Sequence, residues 1–273
     1  MIKNLEYYLS QARRISKHRE KDAEKGIRKT YKTLLGDLRH FISDKYADFA
    51  EDDKLTYAIL QQKSNFARFL EEVESIVNKG TPEASKQVRQ LVKEVYTACY
   101  NGMVEGVRKS SNSAELEEQL KGIKTVTPEI IKRAVENPIT GLTLSDTLEK
   151  QRKEVVYNIK REIGIGLANG DRYSTMAKRI TERVDMDYRK AVTIARTESH
   201  RVQEAGFHDS ATEINSALEQ GVTAHRLHKT WVSMKDSRVR KSSKANHKKM
   251  DGVSIPVDEE FYLGRGIKTE APA

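Results

Sequence analysis

In "TIARTESHR", residues 193–201, a glutamate stands where a helix of this pattern calls for an apolar residue. With Tyr188 at zero and 100° per residue, Ile194, Ala205, Ala191, Val202, Ala195, Gly206 and Val192 share one arc. Glu198 falls in the middle of that arc, with Arg196 and Arg201 flanking it. A carboxylate turned toward a core is costly unless it is paired and hydrogen-bonded. Two chemistries fit such a group. A buried carboxyl with a raised pKa can act as a general acid or base. Flanking arginines pull the pKa the other way, and no nucleophile or oxyanion-hole motif accompanies Glu198, so a structural ion pair is the expectation. Arg201, at i+3, is one candidate partner. Arg238 and Arg240 of "DSRVR" are the others, able to grip the carboxylate bidentately and clamp a distant segment onto the helix. Asp236 could then answer Arg196.

The histidines raise a second chemistry. His225, His228 and His247, with Asp236 and Asp251, include ligand types for zinc or magnesium. They lie in a stretch whose own charge opposes a cation: His225 to Met250 holds nine Lys or Arg against the single Asp236, a net +8. No metal and no cofactor is therefore expected. "NH" at 246–247 is too little for a His-Asn-His nuclease, which needs a second catalytic histidine and ligands on a hairpin and helix. The same basic run fits a polyanion or an acidic protein surface. Its candidate phosphate contacts are Arg226, Lys229, Lys235, Lys241, Lys244, Lys248 and Lys249. A solvated loop fits the charge equally well.

The whole chain carries +9 over 273 residues, enough length for one large or two modest cores. No apolar run reaches the roughly 18 residues of a membrane span. The N-terminal "MIKNLEYYLSQARR" has no apolar signal core. Cys99 is the only cysteine, which excludes an intrachain disulfide and makes a reducing, intracellular setting the default.

The elements that must position these groups are mostly helices. Leu5, Tyr8, Leu9, Ala12 and Ile15 step at helical spacing, as do Ile27, Tyr31, Leu34, Leu38 and Ile42. The stripe Phe66, Phe69, Leu70, Val73, Ile76 and Val77 is expected to stop at Gly80. "TPEASKQVRQLVKEVY" then opens a new helix, with Thr81 as N-cap and Pro82 in the first turn. "KSSNSAE" (109–115) reads as a loop. Further helices follow from Thr127, from a cap at Ser145 to "ANG" (168–170), over "STMAKRITERV", and over "DYRKAVTIARTESHRVQEAGFHDSA". After Gly221, "KTWVSM", "VSIPV" and "EFYL" are short β-branched and aromatic runs separated by charge and a "DG" turn. The fold class is thus mainly α, with helical N-terminal and central regions and a small β-containing C-terminal unit. That unit is too small to stand without docking.

In order, the second half contains "LANGDRYSTMAKRITERV", "ARTESHRVQEAGF", "KTWVSMKDSRVR", "NHKKMDG" and "VSIPVDEEF". This series resembles the phage head morphogenesis family, the minor head proteins related to protein F of phage Mu. There an Ala-Arg-Thr-Glu helix precedes a Trp, an Asp-x-Arg-x-Arg, a His, an Asp-Gly turn and a final strand. The resemblance covers about residues 142–263, and the N-terminal half matches only in being helical. "KSSKAN" lengthens the loop before His247, and the family's closing Asn-Cys-Arg-Cys segment is absent. Toxin domains such as ADP-ribosyltransferases are sometimes fused to family members, and this chain ends where one would begin.

The resemblance implies a non-enzymatic component of the virion, in the head interior or at the portal vertex, and in the host cytoplasm during assembly. Its implied partners are the portal protein, the major capsid or scaffold protein, and double-stranded DNA bound non-specifically; no membrane is implied. The alternative is a general nucleic-acid-binding or processing protein working through the 225–250 loop. Residues 1–125 are expected to form a helical docking region, 126–221 the helical part of the family core, and 222–273 the basic β unit. The expected latch comprises Arg196, Glu198 and Arg201 on the helix, with Trp231, Asp236, Arg238, Arg240, His247, Asp251 and Gly252 from the β unit.

Overall fold

The computed structural model describes residues 4–63, 66–110, 114–123, 126–137, 142–219, 226–233, 239, 246–264 and 266–269. Among them are seven α-helices: α1 Leu5–Phe49, α2 Tyr57–Lys63, α3 Phe66–Ser110, α4 Ala114–Leu120, α5 Pro128–Val135, α6 Leu144–Asn169 and α7 Tyr173–Glu219. Four short strands follow: β1 His228–Thr230, β2 Ser254–Pro256, β3 Phe261–Gly264 and β4 Ile267–Thr269. β1 pairs antiparallel with β2, and β3 with β4. The fold is mainly α with a small strand-containing C-terminal region, as the sequence pattern implies.

Two compact units divide the chain, and neither is a continuous stretch. One comprises Arg14–Tyr96 and Pro128–Gln203; the other comprises Met1–Arg13, Thr97–Thr127 and Glu204–Ala273. The first is a helical body. Ile27, Leu34, Leu38 and Ile42 of α1, Val73, Val77 and Val88 of α3, Val155, Ile159 and Ile163 of α6, and Ile180 and Ala195 of α7 are buried at helical spacing. The second joins the ends of α1, α3 and α7 to the strands, with Tyr100, Met103, Ile214, Leu218, Trp231 and Phe261 in its interior.

Four boundaries differ from the sequence expectation. Gly80 does not stop a helix and Thr81 does not cap one, because α3 runs through "GTPEAS" with Pro82 inside it. Proline there forfeits one backbone bond, at about 3 kcal/mol. The stripe Val73, Val77, Thr81, Ala84 and Val88 is buried without interruption, and burying each valine contributes about 1.5–3 kcal/mol. Burial outweighs the breaker. Thr81 meanwhile donates its hydroxyl to Val77 O at 2.9 Å, and a side chain at Gly80 would press on Leu34.

The two expected helices over 174–184 and 187–211 are one 47-residue helix, α7. Asp187, the polar residue at the expected break, is buried and held bidentately by Arg183 one turn earlier, so the helix need not open. The cap of α6 is Thr143, in a capping box with Asp146, rather than Ser145; the hydroxyl of Ser145 donates to Glu136 instead. The expected loop at 109–115 is helical at 109–110 and 114–115, and 111–113 lie outside the described residues.

Two glycines separate close packing from mere tolerance. A Cβ at Gly102 would lie 2.7 Å from Ala12 Cβ, whereas one at Gly36 would meet nothing within 4 Å. Gly102→Ala is expected to lower stability by about 1–2 kcal/mol, the clash exceeding the gain in helix propensity. Gly36→Ala should raise it by up to about 1 kcal/mol. Urea denaturation of the two variants checks both signs.

Candidate functional site

Three sets of contacts contain the residues singled out in the sequence. The first centres on Glu198, which is buried at 6 % exposure. Arg201, one turn later on α7, donates from Nε to Glu198 at 2.9 Å. Its other two nitrogens donate to the carbonyls of Ala134 and Val135, at 2.7 and 2.8 Å. Those are the last two residues of α5, whose end carbonyls have no partner within the helix. Glu198 therefore orients a guanidinium that caps a second helix 66 residues away in sequence. An arginine suits this because its planar fork serves one carboxylate and two carbonyls at once.

Arg196 points elsewhere. It donates to Glu24 of α1 at 2.5 Å and lies 3.9 Å from Glu20. Its expected partner Asp236 and the two other candidate partners of Glu198, Arg238 and Arg240, lie outside the described residues. Arg201 is the partner of Glu198 that the structure places, and it fastens helix to helix.

The second set is the core of the C-terminal unit. Trp231 is 2 % exposed and meets the rings of Phe261 and His247 edge-on, at 5.1 and 5.3 Å between centroids. The Trp231 N–H donates to Val253 O and its carbonyl accepts from Gly252 N–H, while Asp251 accepts from Ser233 N–H at 2.9 Å. Gly252 has φ +81°, a conformation that the "DG" turn requires of glycine. Trp231, His247, Asp251 and Gly252 thus hold one small fold together, and Trp231 is no stacking platform for bases.

Of the third set the sequence singled out only Arg226; Asn215, Glu219 and Asp258 were missed. Asn215 of α7 is buried; it accepts from Leu227 N–H at 2.7 Å and donates to Asp258 at 3.4 Å. Arg226 joins Glu219 and Asp258, whose carboxylates push its guanidinium further up. Asn215 is what ties the strand region to the end of α7. Its signal was weaker than that of Glu198: at 100° per residue Asn215 falls beside the arc of Ile214, Leu218 and Ala211, not inside it.

The candidate phosphate contacts separate in the same way. Lys248 and Lys249 are exposed on a 3-10 turn, His247–Met250. Arg226 is answered by its two carboxylates. Lys229 is half-buried, with its ammonium buried over the Phe261 ring at 5.6 Å rather than presented on the surface. Lys235, Lys241 and Lys244 lie outside the described residues, as does His225. His228 is exposed in β1, its ring 3.3 Å from Arg226 O. Among the described residues no three His, Cys, Asp or Glu side chains form a cation cage, and no helix is long and apolar enough to cross a membrane.

Comparison with known proteins gives two kinds of match. The family described as Phage Mu protein F like protein matches residues 157–267. Minor head protein GP7 of Bacillus phage SPP1 is 30 % identical over 254 residues, spanning 92 % of this chain and 76 % of its own. An NAD(+)–arginine ADP-ribosyltransferase, EFV, of Enterococcus faecalis is 26 % identical over 242 residues, covering 89 % of this chain and 46 % of its own. No solved structure matches. The pairwise similarity includes the N-terminal helices, where the sequence motifs indicated nothing beyond helicity.

Proposed function

The chain belongs to the phage minor head protein family, and from that premise we propose that it is a non-enzymatic assembly component attached to the portal and in contact with packaged DNA. The coarser statement, a structural role in the phage head, follows from the family itself. The single observation supporting the finer one is the reach of the similarity to GP7 over 92 % of the chain. A match of that length reaches into both compact units, so helices of the N-terminal half are part of the similarity.

Glu198 is committed to Arg201, and Arg201 to the end of α5, which favours a structural use of the motif over acid–base chemistry. DNA contact is assigned to the exposed Lys248 and Lys249 and their neighbours in the 225–250 segment, with docking contacts to the portal in residues 1–125. Docking is best tested without truncation, because residues 1–125 contribute to both compact units and a fragment lacking them would lose part of each core. The full chain, co-expressed with the portal protein of the same phage, is expected to co-elute with it in gel filtration. Separate elution at micromolar concentration would remove portal attachment and leave a head component held elsewhere.

A further inference from the structure

One face of α1 is not accounted for by the fold. Arg14, Lys17, Lys21, Lys25, Lys29 and Lys32 are all exposed. Their steps of three and four residues keep them within about 120° of arc and spread them along about 27 Å of helix. The ridge lies within a single compact unit.

On other helices several exposed lysines are neutralised along the helix. Lys109 faces Glu105, Lys153 faces Glu149 and Lys178 faces Glu182, each at i,i+4. On the ridge the i,i+4 neighbours are Lys17–Lys21, Lys21–Lys25 and Lys25–Lys29, like charges that destabilise a helix. Asp22, at the edge of the arc, pairs with Lys25 at 3.3 Å, and no ion pair involves the other five among the described residues. Two acids of the same stretch, Glu20 and Glu24, are drawn to Arg196. Arg28, within the arc, is committed to Tyr188 through its hydroxyl and ring. Charge is left unneutralised along a line.

We infer that this ridge is a contact surface for the phosphate backbone of duplex DNA. Protein interfaces have an apolar core depleted of charge, and this arc offers no apolar anchor; the nearest exposed candidate, Ile15, lies off it. Five of the six cations are lysines, point charges suited to phosphate rather than to bidentate reading of a base edge. The contact is therefore sequence-independent and driven by counterion release. It rests on the reading that the protein meets packaged DNA, and it adds a second, larger surface to Lys248 and Lys249.

The test uses the full chain and a fluorescein-labelled 30-base-pair duplex, with anisotropy titrations across a series of NaCl concentrations. Lys17→Gln, Lys21→Gln, Lys29→Gln and Lys32→Gln are combined in one variant, glutamine being a comparable helix former. Removing four phosphate contacts should make the log–log salt slope shallower by about 3–4 and weaken binding at least about tenfold in low salt. Circular dichroism should show helicity unchanged.

A second variant, Lys248→Gln with Lys249→Gln, separates the two surfaces. If only this second variant weakens binding, the ridge is overturned and the loop reading stands. If the wild type does not bind the duplex in low salt, both fail. If the ridge variant binds DNA as wild type does but no longer co-elutes with the portal protein, the ridge faces an acidic protein and the inference is wrong.

Discussion

Glu198→Ala is expected to lower the stability of the chain by about 3–5 kcal/mol, the range for orphaning one member of a buried ion pair. The side chains of Glu198 and Arg201 are 8 % and 15 % exposed, so solvent cannot take over the lost interaction. Arg201 would keep the carbonyls of Ala134 and Val135, but its charge would be left without a counterion and its fork without the bond that orients it. Two effects should follow together, a lower unfolding midpoint and faster hydrogen exchange at the end of α5. Glu198→Gln retains an acceptor for Arg201 Nε and should cost less. Arg201→Lys should resemble the alanine variant more than the glutamine one, since an ammonium cannot span a carboxylate and two carbonyls with the same planar geometry. Thermal melts of Glu198→Ala that match wild type would show that the carboxylate contributes nothing as a latch.

Phe261→Ala is expected to be comparably damaging, by about 3–5 kcal/mol, with damage concentrated in the C-terminal unit. Phe261, Trp231 and Leu263 are the buried residues of its hydrophobic cluster, with Met250, Val253 and Ile255 packed against them. A core of that size has no reserve. Trp231 is the only tryptophan, so its fluorescence reports this unit alone. In wild type the buried indole should emit in the blue; in Phe261→Ala the emission should shift to the red and the protein should be cleaved more readily within 225–260. Far-ultraviolet circular dichroism should change little, because most of the length of the long helices lies in the other compact unit. An unchanged emission maximum would mean that the indole is held by something other than Phe261.

Much of this was legible in the residues themselves. Apolar periodicity located the helices because a 3.6-residue repeat is a local property, and the αL stop at Gly170 is written in "ANG". The placement of Glu198 on an apolar arc announced a buried charge, and the ordered motifs of the second half pointed to the family. The helix boundaries at Thr81 and near Asp187 were not legible. Whether a proline or an aspartate interrupts a helix depends on what its neighbours bury, and that is set by other helices.

The partner of Glu198 shows the same division. Sequence alone determined that the carboxylate needed a cation and that arginine suited it. That Arg201 supplies it, and spends its remaining donors on the last carbonyls of α5, depended on where α5 came to rest. Asn215 and Asp258 likewise have no meaning until the chain returns from the strands to α7, 43 residues later. The compact units are of this kind too, assembled from two and three separated stretches. Residue type and spacing decide which groups require a partner, because desolvation and helical period act locally. Which group answers depends on contacts between residues far apart in sequence, and those exist only once the helices have packed.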